Sequence, residues 1–320
     1  MENKDITFVV QGPVRERTMD TLESIRNNFK GSKIILSTWE GSHVDNLSYD
    51  SVVYSKDPGE INITKNNHIV GKENTNRQIV STHSGLLNVQ TKYAVKIRTD
   101  TPILSNAIIE LYYKAQDYYR DPAFSFLEER VIVSSINTID PNSYIKFPYH
   151  ISDWFFFGKT TDLLKIWNGK IIPEDEYFTE QDIQEKLFCS RGFDFGRFTA
   201  EQLVLYYFLK NNGVDDHNYF CDVSDNKIER SIKCILANFY CSSPKKMGLF
   251  FLKYEDLIRL KFNFKSFRRF MGFYLVTINE SVWRDYYKSY YGLRTTITEK
   301  IEIEIRKILL FCMKRIKKKK

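Results

Sequence analysis

Residues 91–104 read Thr-Lys-Tyr-Ala-Val-Lys-Ile-Arg-Thr-Asp-Thr-Pro-Ile-Leu, and the fold class turns on this stretch. Tyr93, Val95 and Ile97 alternate with Ala94, Lys96 and Arg98, the period of a β-strand. The strand runs into Asp100 and stops at Pro102, which cannot donate to a ladder. One carboxylate is thereby delivered to the C-terminal end of a strand, where open α/β sheets bind their ligands. By itself an Asp before a proline turn is ordinary loop chemistry, so the preceding hundred residues carry the weight.

Those residues alternate strand and helix patterns. Ile6–Val10 is a strand closed by Gln11-Gly12-Pro13. Asp20 with Glu23 resembles a capping box before Leu22, Ile25 and Phe29 at helical spacing. Lys33–Trp39 and Ser51–Ser55 are strands, the second ended by Asp57-Pro58-Gly59. Thr75 is expected to cap a helix running to about Gln90, and the 91–100 strand closes the unit. A β-α-β-β-α-β order predicts a mostly parallel, Rossmann-like central sheet flanked by crossover helices. Neither G-x-G-x-x-G nor a Walker loop occurs, so a dinucleotide fold and a P-loop nucleotidase are unsupported. Further on, 104–116 is read as helix and 131–135 as strand. A strand over Ile151–Phe157 would carry Asp153 and Trp154, and a helix capped by Thr199 would carry Glu201 and Gln202. The expected organisation is a nucleotide-sugar-binding and catalytic domain over 1–215, a helical extension over 216–296 and an amphipathic basic tail helix over 297–320.

Length (320 residues) and aromatic content (15%) allow a sizeable core. No apolar run approaches the ~20 residues that span a bilayer, and no signal peptide is evident at the start. The five cysteines form no C-x-x-C pair and read as reduced thiols. The net charge of +7 is uneven. Residues 306–320 hold eight Lys/Arg and no acid, while 1–243 sum to −6. A nucleic-acid binder would carry its basic face across the body, so no nucleic-acid partner is expected. A basic tail on an acidic body points to an anionic membrane surface, with apolar positions 297, 301, 305, 308, 309, 312 and 316 in one helical stripe.

The segments Val10-Gln-Gly-Pro, Ile34-Ile-Leu-Ser-Thr-Trp, Asp57-Pro-Gly, Asn76-Arg-Gln-Ile-Val-Ser-Thr, Tyr93-Ala-Val-Lys-Ile-Arg-Thr-Asp and Asp153-Trp-Phe-Phe-Phe-Gly occur in that order. In order and spacing the chain resembles the WavE family of bacterial lipopolysaccharide-synthesis proteins, which look like GT-A glycosyltransferases. The resemblance covers residues 5–210 and implies assembly of a surface polysaccharide (lipopolysaccharide or capsule) from a nucleotide-sugar donor and a glycan or lipid-linked glycan acceptor. The resemblance supplies no catalytic residue by itself; the basic, aromatic C-terminus is expected to hold a cytoplasmic enzyme at the inner face of the inner membrane.

A GT-A enzyme has to hold a nucleotide diphosphate, neutralise the leaving charge and activate an acceptor hydroxyl. Asp100 is the candidate ligand for Mn²⁺ or Mg²⁺. A paired D-x-D would suit a hard cation better, and here Arg98 and Pro102 stand two residues to either side, which weakens the case for metal. Arg98 and Arg77 are candidates to carry phosphate charge. Gln11, Gly12 and Pro13 occupy the first strand-to-helix turn, a natural seat for base and ribose, and Asn76 lies with Arg77 near a helix N-terminus. Asp153 is the first candidate for the base, with Trp154 to stack on a sugar ring and His150 to orient it; Glu201 is the second. A sugar nucleotidyltransferase and a non-catalytic scaffold of the same fold are the competing readings.

Overall fold

A computed structural model describes residues 1–65, 68–177, 196–214, 218–251 and 274–318. Nine strands are described: β1 (Ile6–Gln11), β2 (Lys33–Trp39), β3 (Ser51–Ser55), β4 (Ile61–Lys65), β5 (His68–Glu73), β6 (Tyr93–Arg98), β7 (Val131–Ser134), β8 (Phe155–Lys159) and β9 (Phe239–Ser242). Seven form one sheet in the order β3-β2-β1-β6-β8-β7-β9, and β4 and β5 make a separate antiparallel hairpin. β3, β2, β1 and β6 are parallel throughout, and β8 alone runs antiparallel to both its neighbours. This is the expected mixed α/β architecture, a mostly parallel Rossmann-like sheet between helices.

The helices are α1 (Thr18–Asn28), α2 (Thr75–Leu87), α3 (Ile108–Gln116), α4 (Thr160–Ile166), α5 (Glu174–Tyr177), α6 (Ala200–Asn211), α7 (Lys227–Asn238), α8 (Pro244–Met247), α9 (Glu280–Tyr290) and α10 (Ile297–Lys318). Strand register assigns them to faces, because neighbours in register share a face and consecutive residues do not. Phe8, Val95 and Phe157 lie in register. Phe29, just past α1, meets Phe8 at 4.8 Å, and Tyr112 of α3 meets Phe157 at 5.2 Å. Val9, Lys96 and Phe156 form the next row, on the opposite face. Gly85 of α2 lies on Val9, and Trp167, just past α4, meets Phe156 at 5.4 Å. α1 and α3 thus cover one face, α2 and α4 the other. The central strands β1 and β6 are buried on both, as parallel strands under two helical layers are.

The local readings differ from the structure in instructive ways. α1 begins at Thr18, so Asp20 and Glu23 lie inside the helix and form no capping box. The helix expected to be capped by Thr75 has Asn74 at its N-cap, with Thr75 its first helical residue, and it ends at Leu87. The strand expected over Ile151–Phe157 starts only at Phe155, which leaves Asp153 and Trp154 on the approach to it. The β4–β5 hairpin was not anticipated, since its Ile-Asn-Ile-Thr-Lys lacks a strong apolar alternation. Thr199 caps α6 as read: its hydroxyl accepts from the Gln202 backbone and Gln202 reaches back to it, a full capping box. β9 pairs with β7, so residues beyond 215 contribute a strand to the same sheet.

Cys234 and Cys241 are buried thiols and Cys312 an exposed one, but Cys221 is disulfide-bonded, contrary to the expectation of reduced thiols throughout. Cys189, Lys319, Lys320 and most of the basic stretch 244–270 lie outside the described residues. Among the described residues no helix is long and apolar enough to cross a membrane.

Candidate functional site

Parallel strands leave their C-terminal ends on one edge of the sheet, and there a pocket of about 500 Å³ opens. β1 contributes Gln11 with the Gly12-Pro13 turn, β2 contributes Trp39, and β6 contributes Arg98 and Thr99. The first turns of α2 close it with Asn74, Arg77, Gln78 and Ser81. Gly12 has φ +117°, a backbone conformation that side-chain-bearing residues rarely adopt. The turn is tied down by Gly12 N–H donating to Ser37 O, Thr99 N–H to Gln11 O, and Thr99 Oγ1 to Pro13 O. Gln11 is buried, and its Oε1 accepts from Ser81 Oγ at 2.8 Å, which joins β1 to α2 directly across the floor.

The charge of the pocket is set by guanidiniums. Arg15, Arg77 and Arg98 line it, against one lining carboxylate, Asp57. Arg77 forks onto Asp57 with two bonds of 2.7 Å and donates a third to Asn74 Oδ1. The hydrogen bond from Arg77 holds the Asp57 carboxyl below its usual range. Asp100 stands at the end of β6 as read. Arg98 donates to both its oxygens at 2.9 Å, and Arg15 Nη1 reaches Oδ2 at 2.6 Å. Burial works against ionisation of Asp100, but the bond from Arg98 and the charges of both arginines overcome it and keep the carboxylate charged.

Trp154 does not line the pocket. Its indole is buried, edge-on to Phe251, with the Arg98 guanidinium 4.4 Å above the ring. It supports an arginine where stacking on a sugar was expected. Asn76 is also set back: its amide exchanges two hydrogen bonds with the Ile172 backbone and braces the segment leading to α5. Gln78, by contrast, connects the pocket to what lies behind it.

Behind Gln78 lies a buried ionisable cluster. Because β8 is antiparallel to β6, the residues that enter β8 sit at the same sheet edge where β6 ends, which brings Asp153 behind the pocket lining, in contact with Gln78. Gln78 Nε2 donates to Asp153 Oδ2 at 2.5 Å, while the buried Asp153 Oδ1 has no hydrogen-bond partner among the described residues. Lys96, fully buried on β6, donates its amine to the Asp153 backbone carbonyl and sits 4.6 Å from the Trp167 ring centre. Burial lowers the Lys96 amine to about 7, partly offset by the Asp153 charge.

Glu201, in the first turn of α6, closes the cluster. Burial, reinforced by the Asp153 charge, raises its carboxyl well above the usual range. His150 contacts Glu201 and not Asp153: Nδ1 donates to Asn137 O at 2.7 Å, which leaves Nε2 facing Glu201 Oε2 at 3.4 Å. Burial lowers the His150 imidazole to about 4. A neutral imidazole beside a protonated carboxyl is the consistent state of this pair at neutral pH. Glu73, the last residue of β5, adds a third carboxyl, raised by burial and then by the Asp153 charge.

The sequence reading missed Arg15, Trp39, Lys96 and Glu73. Trp39 was open to discovery as the last residue of a parallel strand. Lys96 was passed over as one of the residues alternating with Val95 and Ile97, and Glu73 was hidden by the unrecognised hairpin.

A mostly parallel sheet with a ligand-sized pocket across the carboxyl ends of its central strands is the architecture of Rossmann-like α/β proteins of the GT-A kind. The chain belongs to the WavE lipopolysaccharide synthesis family, whose sequence profile matches residues 6–318 and so extends well past the motif-bearing first two thirds. Membership implies a part in lipopolysaccharide biosynthesis. No curated protein matches the chain.

Proposed function

We propose that the protein is a glycosyltransferase that moves a sugar from a nucleotide-diphosphate donor to a hydroxyl of a lipopolysaccharide or related surface-glycan acceptor. The observation that carries this reading is the pairing of a pocket lined by three guanidiniums with a buried carboxylate, Asp153, held one side chain behind it. In such a transfer the acceptor oxygen bonds to the anomeric carbon, the bond from that carbon to the diphosphate breaks, and the acceptor proton leaves to a base. Arg15, Arg77 and Arg98 are placed to take the charge of the departing diphosphate, since guanidinium forks match phosphate oxygens. Asp153 is the base: Gln78 fixes one oxygen, and the other has no hydrogen-bond partner among the described residues. Glu201, held protonated, is a poor base and serves as a hydrogen-bond donor to His150.

The surroundings of Asp100 do not favour a divalent ion. A hard cation requires several oxygen ligands, whereas both Asp100 oxygens accept guanidinium N–H groups. Among the described residues no group of three or more acidic, His or Cys side chains is arranged to hold a metal. In this reading Asp100 sets Arg98 and Arg15 in place, and the arginines do the work assigned elsewhere to metal. The test is a thermal-shift screen against UDP-, GDP-, dTDP- and CMP-sugars, with and without Mn²⁺. One donor should raise the melting temperature equally in both conditions. A shift that requires Mn²⁺ would restore Asp100 as a ligand, and no shift with any donor would favour a non-catalytic scaffold.

A further inference from the structure

α10 presents an anomaly that the catalytic reading does not use. Polar side chains hold it to the body, and four of its isoleucines face out. Glu299 pairs with Lys288 at 2.5 Å. Arg306 reaches the buried Asp140 at 2.7 Å and Leu275 O at 2.9 Å, and Asp140 also accepts from Tyr286 Oη. These contacts fix the rotation of the helix. On the far side Ile297, Ile301, Ile305 and Ile308 are each more than half exposed, at 79, 53, 51 and 60%. Isolated apolar residues at a surface are ordinary, but a continuous stripe along one helix is not.

Charge identifies what covers the stripe. Lys300 and Lys307, both exposed, stand seven residues apart and so follow one flank of it. Among the described residues Lys307 pairs only locally, with the exposed Glu304. Residues 306–320 hold eight Lys/Arg and no acid. A second copy of this helix would bring like charges together, whereas an anionic lipid surface offers an acyl boundary to the isoleucines and headgroup charge to the lysines.

We propose that α10 is an interfacial helix that seats the whole protein on an anionic bilayer, with Arg306–Asp140 setting its orientation. The proposal is independent of the catalytic assignment. The experiment is co-sedimentation of the full-length protein with vesicles of phosphatidylcholine alone, or of phosphatidylcholine containing about one-third phosphatidylglycerol. Binding should require the anionic lipid and fall with added salt. The triple variant Ile301→Ser, Ile305→Ser, Ile308→Ser and the triple variant Lys300→Gln, Lys307→Gln, Lys314→Gln should each bind at least about tenfold more weakly. The serine variant bears on the proposal only if its thermal melt is unchanged; the lysine variant, altered at Lys314 and at the exposed Lys300 and Lys307, decides the matter if it is not. Wild-type-like vesicle binding by the lysine variant, or no binding by the wild type, overturns the proposal. So does a wild-type dimer in sedimentation velocity that the serine variant abolishes, since the stripe would then be a contact between chains.

Discussion

At the scale of single residues, the site separates two carboxyls by environment. Asp153 has one oxygen fixed by Gln78 and the other without a partner among the described residues, while Glu201 is buried against a neutral imidazole. Asp153→Asn should keep donor binding, read as an unchanged thermal shift, and lower the transfer rate by roughly 10²–10⁴-fold. Equal turnover would remove Asp153 from the reaction. Glu201→Gln tests the second assignment through stability. The folded-state pKa of Glu201 lies above its unfolded value, so the native state keeps a proton that the unfolded state releases. Wild type therefore loses stability relative to Glu201→Gln as pH rises from about 4.5 through the raised value, and the difference is flat at lower pH. Urea melts of both proteins at mildly acidic and mildly alkaline pH measure it; a wild type that keeps or gains stability relative to Glu201→Gln as pH rises refutes the assignment.

At the scale of elements, α2 carries most of the architecture of the site, and it reaches the sheet through a glycine. A Cβ at Gly85 would lie 2.4 Å from Val9 Cγ1 and 3.0 Å from Ser37 Cβ. Gly85→Ala must push α2 off β1 and β2, which should cost about 1–3 kcal/mol in a denaturant titration. Because Arg77, Gln78 and Ser81 ride on the same helix, donor affinity should fall with it. Elements were legible where their periodicity was undisturbed. β2 and β3 were bounded correctly from Ile34-Ile-Leu and Val52-Val-Tyr, and Thr199-x-x-Gln202 announced α6 by reciprocal hydrogen bonding. The start of β8 was not legible, because Ile151-Ser-Asp-Trp continues the strand pattern while its side chains serve the cluster. The site was legible as a set of candidates in the right segments. Which of them face the pocket depended on tertiary contacts: no local pattern reveals that Asn76 turns to Ile172 or that Trp154 lies beneath Arg98.

At the scale of the whole molecule, the C-terminal part is joined to the sheet by a buried arginine. The Arg130 guanidinium donates to the carbonyls of Ala115, Tyr118, Tyr119 and Leu236, satisfying the C-terminal ends of α3 and α7 together. Burial lowers it only to about 10, so it is charged at neutral pH. Arg130→Leu would strand several buried carbonyls and should cost at least about 3 kcal/mol in urea unfolding. A loss below about 1 kcal/mol would mean that water replaces the guanidinium.

The strand order also governs what happens while the chain is being made. β1, β2 and β3 leave the ribosome first, but the other neighbour of β1 is β6, and Ile6 waits for Tyr93. At roughly 5–20 residues per second that wait lasts several seconds. Through it, Ile-Thr-Phe-Val-Val-Gln offers an open parallel edge to any neighbouring nascent chain. Newly synthesised protein is therefore most exposed to aggregation before its ninety-eighth residue has emerged, and a chaperone that shields the first strand would act in that interval.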